Sequence, residues 1–210
     1  MPILDRNMGW KRMTRFIGME SFVGSQVTGS STVLDGLGTG APVFSEISSF
    51  GYAGINMEAG DMIACADFTT LAIADVTQPI GVRVRWTGEA TPAATDDVTW
   101  VVLHDLADQG EAIIEPATAL NTAIPNHEPA HTTALAYNRT QRGVINGGTF
   151  DAEAKQGLLG WRIEADVVNG YGATEVHFLA LEIDYYPALC VDPTDRDINE
   201  LTKRTDSETA

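Results

Sequence analysis

The stretch Glu175-Val-His-Phe-Leu-Ala-Leu-Glu-Ile-Asp-Tyr-Tyr186 constrains the fold of this chain more than any other. Its β-branched and aromatic residues suit a pleated surface, and Pro187 ends the run cleanly. A strand of this length belongs inside a sheet domain. The two faces of the strand are uneven. Glu175 and His177 share one face with Leu179, Leu181, Ile183 and Tyr185, while Val176, Phe178 and Ala180 share the other with Glu182 and Asp184. The polar side therefore swaps midway. A strand does this when a bulge resets its register or when it passes from the cover of one layer to that of another.

Three more segments carry the same two-residue period. Ile80 to Trp86 places Val82, Val84 and Trp86 on one face and Arg83 and Arg85 on the other. Asp97 to Leu106 aligns Val98, Trp100, Val102, His104 and Leu106, with Val101 and Leu103 making the opposite face apolar too. Leu158 to Val168 points Trp161, Ile163, Ala165 and Val167 inward and Arg162, Glu164 and Asp166 outward. Shorter strands are expected at Val43–Ser48, Met62–Phe68, Ala112–Glu115, Thr132–Tyr137 and Gly143–Ile145. Ala117–Ala123 reads either as a strand or as a turn of helix. Asp151 caps one expected helical turn to Gln156, and Gly88–Asp96 and Asn169-Gly170 are expected turns. Roughly eight strands, long loops and almost no helix predict an all-β, antiparallel β-sandwich of jelly-roll type. The expected organisation is an N-terminal arm with a Gly/Ser-rich loop over 1–42, a sandwich over 43–190 and an acidic tail over 191–210.

With 29 acidic and 13 basic residues the chain carries a formal charge of −16. That balance argues against a nucleic-acid groove, which needs clustered Lys and Arg facing phosphates. The N-terminus has no apolar signal region, and no apolar run reaches membrane-spanning length, so a soluble protein made in a cytoplasm, with no membrane partner, is expected. Cys65 and Cys190 share no motif spacing and read as idle thiols. The basic residues are unevenly spread. Arg6, Lys11, Arg12 and Arg15 cluster at the start, with Trp10 and Phe16 among them. Such an arm meets an acidic surface, either a neighbour's or its own. Arg6, Trp10, Lys11, Arg12 and Arg15 are the expected partner-binding residues, as cations and an aromatic at an interface.

No catalytic set assembles in the sequence, and no cofactor or metal is expected. His127-Glu-Pro-Ala-His131 matches the zinc-protease pattern in letters, but Pro129 removes an N–H from the helix that must align both histidines. Gly36-Leu-Gly-Thr-Gly40 runs into Pro42 and a strand rather than a helix, so it is a connection and not a phosphate loop. The carboxylates Glu182 and Asp184 lie on one face of one strand. Arg83 and Arg85 repeat that spacing, so cross-strand ion pairs suit them better than a glycosidase cleft. The sequon Asn138-Arg-Thr140 is idle without secretion.

Four strand texts carry a family resemblance. They are Pro79–Thr87, Asp97–Leu106, Thr118–Ile124 and Glu175–Tyr185. Together they resemble structural proteins of tailed bacteriophages, and most of all the small jelly-roll auxiliary proteins that cement or decorate icosahedral heads. The resemblance covers about residues 79 to 187 and is one of texture rather than of a diagnostic motif. It implies a homo-oligomeric clamp, a trimer for preference, bound to major capsid protein subunits on the virion surface and without catalysis. A virion tail or adhesion module that binds host glycans is the alternative, and a metalloenzyme using His127, Glu128 and His131 a third.

Overall fold

A computed structural model of the 210-residue chain describes residues 12–25, 42–47, 52–88, 97–124, 137–151, 157–169 and 175–188. Their strands are β1 (Met13–Gly18), β2 (Val23–Ser25), β3 (Val43–Glu46), β4 (Ala53–Glu58), β5 (Met62–Asp67), β6 (Ile80–Gly88), β7 (Asp97–Ala107), β8 (Thr118–Ala119), β9 (Tyr137–Arg139), β10 (Gly143–Ile145), β11 (Leu158–Asn169) and β12 (Glu175–Tyr185). One helical turn, α1 (Thr70–Ile73), follows β5. The chain is an all-β, antiparallel sandwich.

The long terminal strand organises the first sheet. One edge of β12 pairs with β6 along most of its length. The other edge is shared: β4 takes the first half, Glu175 to Phe178, and β1 takes the second, Ala180 to Tyr185. β9 and β10 divide the free edge of β6 in the same way, and β3 extends the sheet beyond β4. The second sheet runs β2-β5-β11-β7-β8. Each central strand is thus hydrogen-bonded on both edges, which satisfies its backbone polar groups before any side chain is considered.

The expected register change in β12 is present. Its pairing with β6 slips between Phe178 and Ala180. Phe178 and Val176 fill the core before the slip; Leu181, Ile183 and Tyr185 fill it after. Glu182 and Asp184 consequently face away from the core. A second slip, between Ala165 and Val167 in β11, was not expected from alternation. Val168 is buried after Ala165, so the inward row continues through Val168.

The layers meet through large rings. Trp86 and Phe178 from the first sheet lie 6.3 Å and 6.4 Å from Trp100 of the second, centroid to centroid. Phe22 stands edge-on to Phe178 at 4.8 Å. Trp161 and Ile163 complete a core in which these side chains are almost fully shielded from water.

A polar tie joins the layers at one end. Arg15 on β1 occupies the inward row opposite Ile183, and its guanidinium reaches Asp67 at the end of β5 at 2.5 Å. Asp67 also accepts hydrogen bonds from the backbone N–H of Thr69 and Thr70, from the Thr70 hydroxyl and from Trp161 Nε1. The carboxylate thus seats α1 and spans the two sheets.

Several short segments differ from expectation. Residues 112–115 form no strand; the chain there crosses the outer face of the second sheet, where Pro116 packs beside Gly160. Residues 117–123 yield a two-residue strand, β8, and a single bridge between Thr122 and Val144. β4 was not anticipated, because Gly54 and Asn56 weaken its propensity signal. β1 and β2 lie within the 1–42 segment expected as an arm, and both are strands of the sandwich. Of the expected strand 132–137 only Tyr137 is described. The expected helical turn after Asp151 and the 191–210 tail lie outside the described residues.

Replacing Trp100 with alanine empties the meeting point of the two sheets. The expected result is a loss of about 3–5 kcal/mol of unfolding free energy, read from denaturant melts. A loss of under about 1 kcal/mol would show that the rings do not hold the layers together.

Candidate interaction surface

The outer face of the first sheet is built by alternation. Val82, Val84 and Trp86 turn to the core, so Arg83 and Arg85 turn outward beside Glu182 and Asp184 of the adjacent strand. The cross-strand ion pairs expected from the matching spacings are present. Arg83 contacts Glu182 at 3.3 Å and Asp184 at 3.1 Å, and Arg85 contacts Glu182. Three further arginines close over the same two carboxylates. Arg139 of β9 reaches Glu182, Arg142 reaches Asp184 at 3.0 Å, and Arg12 reaches Asp184 at 3.3 Å. A Cβ at Gly81 would run into Arg142 and the Asp184 carboxylate, so a side chain there would push the two apart from their present positions.

Five guanidinium groups therefore surround two carboxylates, leaving a formal excess of three positive charges in one surface cluster of a protein whose total is −16. The Glu182 side chain is only 2% exposed, whereas those of Arg12 and Arg139 are 43% and 44% exposed. The anions are the sunken part of the face and the cations its rim. Arg83 registers the crowding: burial and the neighbouring Arg139 pull its guanidinium below the usual value, against the opposing effect of Asp184 and Glu182. Aromatic rings complete the surface. Arg85 lies between Phe16 and Tyr137, 5.7 Å and 5.2 Å from their centroids, and Arg12 stacks over Tyr186 at 5.2 Å. Phe16 and Tyr137 remain more than half exposed.

Two of the five residues expected to bind a partner are described, and both turn to acidic groups of their own chain: Arg12 to Asp184 and Arg15 to Asp67. Arg6, Trp10 and Lys11 lie outside the described residues, as do His127, Glu128 and His131. Arg139 and Arg142 escaped sequence reading. Their available signal was the run Arg139-Thr-Gln-Arg142, which begins inside the sequon, with nothing to say which strand they would meet. Phe16 was seen only as a companion of the basic arm, and Tyr137 only as the end of a strand. Among the described residues no group of three or more His, Cys, Asp or Glu side chains is placed to hold a metal ion.

Two buried groups elsewhere are inert rather than reactive. Burial, helped by the Asp67 carboxylate and opposed by Arg15, pushes the Cys65 thiol up to about 12. It stays protonated at neutral pH. His104 is buried between Phe150 and Trp161, and neither ring nitrogen meets a hydrogen-bond partner among the described residues. Burial pushes its imidazole below the ordinary value of 6.5, outweighing the opposite pull of Asp105. Burial alone would raise the Asp67 carboxyl, but hydrogen bonds from Thr70, Thr69 and Arg15 outweigh it and hold the group below its ordinary 3.8.

No family model and no curated protein matches the chain.

Replacing Glu182 with leucine leaves Arg83, Arg85 and Arg139 without their shared anion. The expected cost is about 2–3 kcal/mol, less than the roughly 3–5 kcal/mol of a fully enclosed pair, because these arginines still reach water. An unchanged melting curve would contradict the role given to Glu182. A second outcome concerns pH. A folded-state imidazole held below its unfolded value favours the neutral form, so His104 contributes stability above about pH 6.5 that is lost as pH falls below it. Between about pH 7 and 5, before Asp67 begins to lose its contribution below 3.8, the wild-type melting temperature should fall more steeply than that of His104→Leu. Parallel slopes would contradict a buried neutral imidazole.

Proposed function

We propose that this chain is a viral structural protein, a decoration or cement protein that binds the outer surface of an icosahedral phage head. The observation that carries the reading is the rimmed, cationic and aromatic face on an otherwise strongly acidic sandwich. Arginine and large rings are the residues that anchor protein interfaces, and five arginines on a rigid sheet make a preformed contact surface. The acidic remainder suits a location outside a shell rather than against packaged nucleic acid. The strand texts that resemble phage auxiliary head proteins point the same way. The jelly-roll connectivity, the homotrimer and the major capsid protein as partner belong to this proposal.

Among the basic and aromatic residues at the start of the chain, Arg12 and Arg15 are already engaged with Asp184 and Asp67. Arg6, Trp10 and Lys11 are therefore the anchors assigned to the shell. The experiment follows from the fold. Deleting residues 1–20 would remove β1 and strip half an edge from β12, so the informative deletion is 1–11. Purified protein mixed with bare shells is expected to co-sediment, and the 1–11 deletion to weaken binding at least about tenfold, as the loss of interface anchors does. Absence of binding by the full chain, or equal binding by the deletion, would count against the proposal.

The exposed rings of Tyr52 and Tyr137 favour a second reading, a virion tail or adhesion module that stacks on host glycans. A glycan array in which wild type binds and Tyr137→Ala does not would support it over the first.

A further inference from the structure

The face just described has a counterpart on the opposite layer. The end of β7 carries Asp105, and the segment joining it to β8 carries Asp108, Glu111 and Glu115, with Ile113 and Ile114 between the last two. Glu115 bonds Arg162 at 2.7 Å, and Pro116 packs beside Gly160. Arg162 alternates with the buried Trp161 and Ile163, so this segment lies over the outer face of the second sheet. With Glu164, which also contacts Arg162 at 3.6 Å, five carboxylates stand against one guanidinium and leave a formal excess of four negative charges. Ile113 is 76% exposed and Ile114 56%, and the two line a shallow apolar depression with Leu106, Ala107 and Leu158. Two adjacent exposed isoleucines beside an apolar depression offer surface that a partner can cover.

The two surfaces match in sign and in character. One presents a cluster with an excess of three positive charges and with Phe16 and Tyr137 standing out of it; the other presents an excess of four negative charges around exposed isoleucines. They sit on opposite layers of one rigid sandwich and cannot meet within a single copy. Two like faces cannot meet either, because that would oppose cations to cations. We propose that the arginine-rich face of one copy docks on the 105–115 segment of a second copy, so that the chain self-associates head to tail. Such a contact uses two different patches on each molecule. It therefore propagates from copy to copy and closes into a ring wherever the rotation between copies permits. This contact rests on the proposed reading of the same face as an interface, and because its test contains no shell its failure is distinguishable from a failure of shell binding.

Two paired variants test it, each altering exposed side chains that the core does not use: Phe16→Ser with Tyr137→Ser on the face, and Glu111→Lys with Ile113→Ser on the segment. Molar mass is measured by light scattering after gel filtration at roughly 0.02 M and roughly 1 M salt, where screening differs severalfold in range. Circular dichroism and melting temperature check that each variant folds. Wild type is expected above the 22.5 kDa monomer mass at low salt and nearer to it at high salt. Each paired variant alone is expected to run as a monomer. An equimolar mixture of the two is expected to form a two-copy complex and nothing larger, because one intact face then meets one intact segment. Monomeric wild type at low salt, variants that associate as wild type does, or a mixture that stays monomeric would each overturn the proposal.

Discussion

Glu182 and Asp184 sit on the central strand of a sheet, nearly shut off from water, and this is tolerable only because guanidinium groups surround them. Much of the first sheet answers to that requirement. β6 supplies Arg83 and Arg85 in the register the carboxylates need. β9 and the turn before β10 bring Arg139 and Arg142 over the same anions, and the residue before β1 brings Arg12. Strands far apart in sequence thus converge on two carboxylates. The hydrophobic core holds the layers together, but it does not by itself specify which strand lies beside β12; the charges help to do that.

The bulge in β12 makes the arrangement possible. Without the slip after Phe178, continued alternation would carry Glu182 and Asp184 to the same side as Val176 and Phe178, which is the core. An uncompensated carboxylate there would be far costlier than an unpaired backbone group at a bulge. The same logic explains the opposite case of Arg15. It occupies an inward row, yet Asp67 with its hydrogen bonds from Thr69, Thr70 and Trp161 makes a polar seat for it between the layers. Asp67 lies at a strand end between the layers, and Glu182 and Asp184 lie just past the slip in β12 on the outer face of its sheet. The first ion system is closed and structural, while the second has its excess charge turned to solvent.

How much of this was legible depended on length and on period. β6, β7, β11 and β12 each carry enough alternating residues to declare their faces, and the polarity swap in β12 left two readings, a bulge or a change of covering layer, of which the slip after Phe178 is the first. The shared two-residue spacing of Arg83 and Arg85 with Glu182 and Asp184 already implied the pairing of β6 with β12. The shorter strands were less readable, because β2, β8 and β9 are held by their neighbours rather than by their own propensity. β1 was hidden for a different reason. Arg12, Arg15 and Phe16 look like an exposed basic arm until the partners Asp184, Asp67 and Arg85 are known, and those partners lie more than fifty residues away. For the same reason the full face could not be read from sequence: Arg139, Arg142, Phe16 and Tyr137 acquire meaning only from the sheet that gathers them.

The account stands on the coupling between the central carboxylates and their arginines. A double-mutant cycle with Arg83→Met, Glu182→Leu and the combined variant measures it directly through unfolding free energies. The expected interaction energy is on the order of 1–3 kcal/mol, with the combined variant recovering much of the stability lost by Glu182→Leu alone. Losses that simply add, to within about 0.5 kcal/mol, would mean that the two side chains are neighbours without being partners, and the first sheet would need another explanation for its order.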